Sequence, residues 1–219
     1  MVVVARLLES NRDLLVQYIH YITNVYDAHP QYLKHYLNLA LDFSKIQNPF
    51  LKRNLGQLLR RKLQLPKLLL DNLQSPISDW FNLSDSFLLE LQYLLGGIYC
   101  EKLIKKVIIK TEHDRLLQFF GEEKYACIMK RVSLYKPLIS KRIQVKIQAQ
   151  DLIEIIKEVG RYLFLYALGN VEKNVLQRFT LKFNNTVSWE KPELIDPEAQ
   201  IKLLQLCHLL MTKELSWEG

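Results

Sequence analysis

The stretch SDSFLLELQYLLGGIYCEKLIKKVIIK, residues 84–110, governs how the rest of the chain is read. Leu88, Leu91, Leu95, Ile98 and Tyr99 recur at helical spacing and form one apolar stripe. Ser84 is a suitable N-cap, and Asp85 suits the positive N-terminal end. Lys105, Lys106 and Lys110 suit the negative C-terminal end. One long helix over about residues 85–110 is therefore predicted. Gly96-Gly97 sits in its middle, where glycine costs helix stability. Something must offset that cost: close approach of a neighbouring helix, or a kink.

The same period extends outward. Apolar residues at helical spacing predict helices over about 5–26, 30–43 and 49–64, the last opened by Asn48-Pro49. Two shorter helices, about 112–120 and 122–133, flank Gly121, and a further one runs over about 149–168 to a stop at Gly169-Asn170. The final helix has the clearest start: Asp196 as N-cap, Pro197 in the first position and Glu198 in the first turn. Its buried stripe is Leu203, Leu206, Cys207 and Leu210.

Two runs break the pattern. Ile143, Val145 and Ile147 alternate with polar residues, as do Phe179, Leu181 and Phe183. Either they pair as a small two-stranded sheet, or the first opens the helix that runs to Leu168. The fold class is mainly α: a compact multi-helix domain over 1–219, with at most that one small β element.

Composition sets limits. The 219 residues are about half apolar, with only seven glycines and seven prolines, which disfavours turn-rich all-β folds. No apolar run approaches the length of a membrane span, and early charges at Arg6 and Glu9 interrupt any leader-like core. The expected compartment is the cytoplasm. Cys100, Cys127 and Cys207 are widely spaced and are expected to be buried, reduced thiols. Net charge is +7, divided as +9 over residues 1–150 and −2 over 151–219, so a basic body precedes a slightly acidic part. Such a body suits an acidic partner or anionic lipid, or is simply a set of solvated helix faces.

No arrangement that carries catalysis is evident. Gly56 and Gly96-Gly97 lack the spacing and following Lys of a phosphate loop, and no nucleophile elbow or His-Glu-x-x-His pair occurs. His20, His29, His35, His113 and His208 do not pair at ligand spacing. No catalytic residue, metal or cofactor is expected. The basic clusters Arg60-Arg61-Lys62, Lys102-Lys105-Lys106-Lys110 and Lys130-Arg131 lack a recognised nucleic-acid module around them.

Several segments together resemble a known family. These are Tyr93-Leu94-Leu95-Gly96-Gly97, the basic Leu103-Ile104-Lys105-Lys106, and Leu116-Leu117-Gln118-Phe119-Phe120-Gly121. With them go Gly160-Arg161-Tyr162-Leu163-Phe164, the run Val175 to Phe183, and the closing Ala199 to His208. They look like segments of the SctK family of type III secretion sorting-platform proteins, the group of YscK, PscK, MxiK and OrgA. The resemblance spans about residues 25–215. Near the N-terminus Pro30 falls later than in the family's corresponding element, which weakens the alignment there.

The resemblance implies a non-enzymatic cytoplasmic adaptor at the inner-membrane face, peripheral to the membrane through its partners. Those partners would be an SctD-type inner-membrane ring protein and an SctQ-type pod protein. An adaptor acts through surface patches in which aromatics and arginine carry most of the energy. Candidate contact residues are therefore Tyr32, Trp80, Phe81, Arg178, Trp189 and Trp217, with Lys102, Lys105 and Lys106 as a basic face for an acidic partner. Core packing is the alternative for each aromatic, and a local salt bridge for Arg178. The competing functions are a helical nucleic-acid-binding protein and a small enzyme; neither a nucleic-acid module nor a small-molecule site is evident.

Overall fold

A computed structural model describes residues 25, 28–65, 80, 83–169, 171, 173–183, 192 and 195–213. Its elements in chain order are α1 (Pro30–Leu37), α2 (Pro49–Lys62), α3 (Asp85–Tyr99), α4 (Glu101–Ile104), α5 (Lys110–Phe120), α6 (Glu122–Tyr135), α7 (Leu152–Leu168), α8 (Lys173–Thr180) and α9 (Pro197–Lys213), with short 3-10 turns at Phe43–Lys45 and Lys136–Leu138. Among the described residues there is no strand, so the fold is mainly α. The chain forms two compact units: residues 1–85 with 171–189, and residues 86–170 with 190–219.

In the first unit, α1 packs on α2. Tyr32, Leu33, Phe43, Leu55, Leu59, Leu63 and Leu181 form the shared core. Helix α1 ends sooner than its apolar spacing predicts, because Asn38 adopts the left-handed conformation (φ 54°, ψ 34°) that stops a helix. The Leu39 amide then donates to the Leu33 carbonyl at 3.2 Å, and Leu41 lies exposed. Helix α2 starts as its sequence predicts: Asn48 Oδ1 accepts from the amides of Phe50 and Leu51 at 3.0 and 3.1 Å. Helix α8 is tied to this core through residue 181, whose carbonyl accepts from the His29 amide at 2.8 Å.

The run Phe179-Leu181-Phe183 is therefore not a strand. It closes α8 through a series of i to i+3 bonds, with Leu181, Lys182 and Phe183 amides donating to Arg178, Phe179 and Thr180 carbonyls at 3.0–3.2 Å. All three apolar side chains are buried, so the alternation reflects a tight helical end rather than a sheet face.

In the second unit, α3 is buried on nearly all sides, including Leu88, Leu91, Leu94, Leu95 and Ile98. It crosses α7 at a pair of glycines. A Cβ added at Gly96 would collide with the Ile156 carbonyl and stand 3.0 Å from the Gly160 amide nitrogen. A Cβ at Gly160 would collide with the Gln92 carbonyl. Of the two outcomes expected for the Gly96-Gly97 pair, close helix approach is what occurs, and its partner is Gly160.

Helix α7 opens on Asp151, whose Oδ1 accepts from the amides of Ile153 and Glu154 at 3.0 and 3.3 Å. It ends at Gly169, where φ is +70°. Helix α9 lies along α7. It buries Leu203, Leu206, Cys207 and Leu210 as its spacing predicts. Asp196 Oδ1 caps α9 by accepting from the Glu198 amide at 3.0 Å, and its own amide donates to Tyr166 Oη at 2.8 Å.

The run Ile143-Val145-Ile147 takes no regular structure. Ile143 is buried, but the amides of Gln148 and Ala149 donate to the Glu158 carboxylate of α7, each at 3.1 Å. A side chain takes the backbone donors that a neighbouring strand would need.

Candidate functional site

The predicted helix over 85–110 breaks after Tyr99, and the segment beyond the break forms an exposed apolar corner of the second unit. Cys100 leaves helical geometry (φ −82°, ψ 7°) between α3 and the single turn α4. Beyond α4 the hydrogen bonds tighten to i to i+3, from Lys106 to Leu103 and from Val107 to Ile104, both at 3.1 Å. The chain then runs extended to Ile109 (φ −75°, ψ 121°), and α5 starts at Lys110. Val107-Ile108-Ile109 is a β-branched run, which a helix tolerates poorly, so the chain does not resume helix between the end of α4 at Ile104 and Lys110.

Glu101 anchors this corner. It is buried, and its carboxylate pairs with Lys105 and with Lys136 Nζ at 2.7 Å. Hydrogen bonds from Lys105 and Lys136 hold its carboxyl below the usual carboxylate range. Lys105 therefore serves the fold as well as the surface. Lys102 and Lys106 are exposed, and Lys110 is exposed at the start of α5. Among the described residues, none of these three forms an ion pair.

Between these lysines lie aliphatic side chains that also face solvent: Ile108 is 94 % exposed, Ile109 65 % and Leu103 42 %. Sequence reasoning found the lysines within a helix predicted to run to residue 110, and gave the intervening aliphatics no role. The signal available was the β-branched run itself.

A second exposed apolar face belongs to α2 in the first unit. Phe50 is 72 % exposed, with Leu51 and Leu58 also exposed, and Arg53 and Arg61 stand exposed on the same helix.

The other predicted contact residues lie elsewhere. Trp80 and Arg178 are completely buried side chains of the first unit. Tyr32 is also interior: its hydroxyl donates to the Thr180 carbonyl at 3.1 Å, and burial pushes its pKa up. For Tyr32 and Trp80 core packing is what occurs, and Arg178 presents no surface to a partner. Phe81, Trp189 and Trp217 lie outside the described residues.

The chemical inventory is sparse. Cys100, Cys127 and Cys207 are buried free thiols, as their spacing predicts. Burial pushes the Cys100 thiol up to about 11 and the Cys207 thiol higher, so neither is appreciably ionised at neutral pH. Among the described residues, no group of three or more His, Cys, Asp or Glu could hold a metal ion, and no helix is long and apolar enough to cross a membrane. Some charged side chains fasten elements together: Arg115 joins Asp151, Arg142 joins Asp196, and the buried Lys182 donates to the Leu83 carbonyl at 2.7 Å. No protein-family model, no curated protein and no solved structure matches the chain.

Proposed function

We propose that this chain is a non-enzymatic helical adaptor that works through its outer surfaces. Following the SctK resemblance, we place it at the cytoplasmic base of a type III secretion apparatus, linking the cytoplasmic domain of an SctD-type ring protein to an SctQ-type pod protein. The observation that supports this reading is the exposed face of α2. A phenylalanine and two leucines there are left to solvent beside two arginines. An exposed aromatic with arginine at its side has the composition of a protein-binding hot spot. Exposed apolar groups of this kind mark an interaction surface when they cluster.

The test is affinity capture of the tagged full chain from its native cell, compared with a Phe50→Asp/Leu58→Asp variant. Both substituted side chains are exposed, so the fold should persist. Pod and ring proteins should be enriched with the native chain and lost with the variant. Enrichment of RNA or DNA instead, released by added salt, would favour the nucleic-acid reading and overturn the adaptor.

A further inference from the structure

The α4–α5 corner differs from the α2 face in composition, and that difference assigns it a different partner. It holds no aromatic residue and no arginine between Glu101 and Lys110; it holds lysines and aliphatics only, apart from Glu101 itself. Lysine is depleted at protein–protein interfaces, where aromatics and arginine are enriched. A nucleic-acid backbone would engage the lysines but has no use for an isoleucine that is 94 % exposed. One surface accepts both kinds of group at once. An anionic bilayer takes aliphatic side chains into the boundary of its acyl region and binds ammonium groups at its headgroups. Lysine suits this geometry because its apolar stem can follow the chain inward while the charge stays in the headgroup layer.

The local electrostatics agree. The nearby carboxylates at Glu101 and Glu112 are engaged, the first by Lys105 and Lys136 and the second by Arg115 at 2.8 Å. Asp114, on α5, lies 3.9 Å from His113. Among the described residues, Lys102, Lys106 and Lys110 have no carboxylate partner, so they are available to an external anion. The corner is also held in place for the task, because Glu101 clamps the single turn α4 to the Lys136 turn that follows α6.

We propose that residues 101–110 form a peripheral anchor for an anionic lipid bilayer, in which Leu103, Ile108 and Ile109 enter the interface while Lys102, Lys106 and Lys110 contact headgroup phosphates. The anchor needs no protein partner, so it stands or falls apart from the adaptor reading.

The test is sedimentation of the purified full chain with vesicles of phosphatidylglycerol and phosphatidylcholine, against vesicles of phosphatidylcholine alone. Binding should require the anionic lipid and weaken with salt. Replacing Lys102, Lys106 and Lys110 together by glutamine should weaken it roughly a hundredfold, at roughly fivefold per lysine. Ile108→Ser/Ile109→Ser keeps the charge and should weaken binding roughly tenfold or more by removing the buried aliphatics. An Ile108→Cys variant carrying an environment-sensitive dye reports insertion directly, since the three native thiols are buried; its emission should shift to the blue on anionic vesicles.

Three results would overturn the anchor. One is failure to bind anionic vesicles at low salt. Another is equal binding by native chain and serine variant, which would mean charge adsorption without insertion. The third is unchanged vesicle binding by variants that instead lose a captured protein, which would give the corner to a protein partner.

Discussion

Replacing Gly160 by alanine tests the helix crossing that organises the second unit. The new Cβ would stand 2.8 Å from the Gln92 carbonyl carbon and 3.2 Å from the Gly96 amide nitrogen, with the Gln92 oxygen closer still. Non-bonded carbon atoms rest at about 3.5–4.0 Å, so α3 and α7 must part by roughly 1 Å. A gap of that size forfeits up to about half of the dispersion energy of atoms facing across it. The obstacle is backbone on both sides, so no rotamer change relieves it, and the cost belongs at the upper end of overpacking, about 3 kcal/mol. Alanine returns about 1 kcal/mol through its better helix propensity. The net loss is about 2 kcal/mol, a fall in Tm of about 4–8 °C. Gly96→Ala should behave alike, since its Cβ would stand 2.9 Å from the Ile156 carbonyl carbon. Gly97 gives the contrast: its Cβ would meet the side-chain ends of Ile128 (2.5 Å) and Phe120 (3.0 Å), which can shift, so Gly97→Ala should change stability by no more than about 1 kcal/mol. Thermal unfolding followed by circular dichroism reads all three. An unchanged or raised Tm for both Gly96→Ala and Gly160→Ala would refute the close crossing.

Other perturbations have equally definite outcomes. Trp80→Ala empties a fully buried site and should cost about 3–5 kcal/mol in urea unfolding, whereas an exposed contact residue would leave the midpoint in place. Tyr32→Phe removes the hydrogen bond to the Thr180 carbonyl and should cost about 1 kcal/mol in the same assay. Gln92→Met should be neutral or stabilising, because the buried Gln92 Nε2 finds no hydrogen-bond partner among the described residues. Acid should destabilise the second unit: the carboxyls of Glu101, Asp151 and Asp196 are held below their ordinary values by hydrogen bonds from lysine, arginine or helix amides. The stability they contribute is fully present above the unfolded carboxylate range and is lost as pH falls through the folded values. Melting temperature should therefore hold down to about pH 4.5 and decline below it. In Glu101→Gln that decline should be shallower, from a lower starting Tm.

Helical identity was legible wherever spacing and end signals agreed. Asn48-Pro49 and Asp196-Pro197 mark the starts of α2 and α9 at the predicted residues, because a side-chain cap acts locally and needs no knowledge of the fold. The misreadings arose where local geometry overrode a periodic pattern. Asn38 ends α1 by turning left-handed, Cys100 interrupts the predicted helix after α3, and the β-branched run at 107–109 keeps it from resuming before Lys110. The two supposed strands failed because alternation over five residues also fits a tight helical end at 179–183 and an irregular segment whose end is held by Glu158 at 148–149.

The Gly96-Gly97 pair was legible as a place of close approach or a kink, but not which glycine makes the contact or with what: Gly160 lies 64 positions from Gly96, and only the fold brings them together. Surface residues were the least legible. Nothing local in the sequence says that Tyr32, Trp80 and Arg178 are interior while Phe50 and Ile108 are outside, because exposure is decided by which helices meet.

The central claim is that this chain acts by binding protein through an apolar face rather than by turning over a substrate or holding nucleic acid. Calorimetric titration of the purified chain with the pod protein from the same cell tests it most directly. The adaptor reading expects saturable heat that changes little with salt and disappears in Phe50→Asp/Leu58→Asp. No heat with the pod protein or the ring protein's cytoplasmic domain, alongside tight and steeply salt-dependent binding to RNA or DNA, would contradict it.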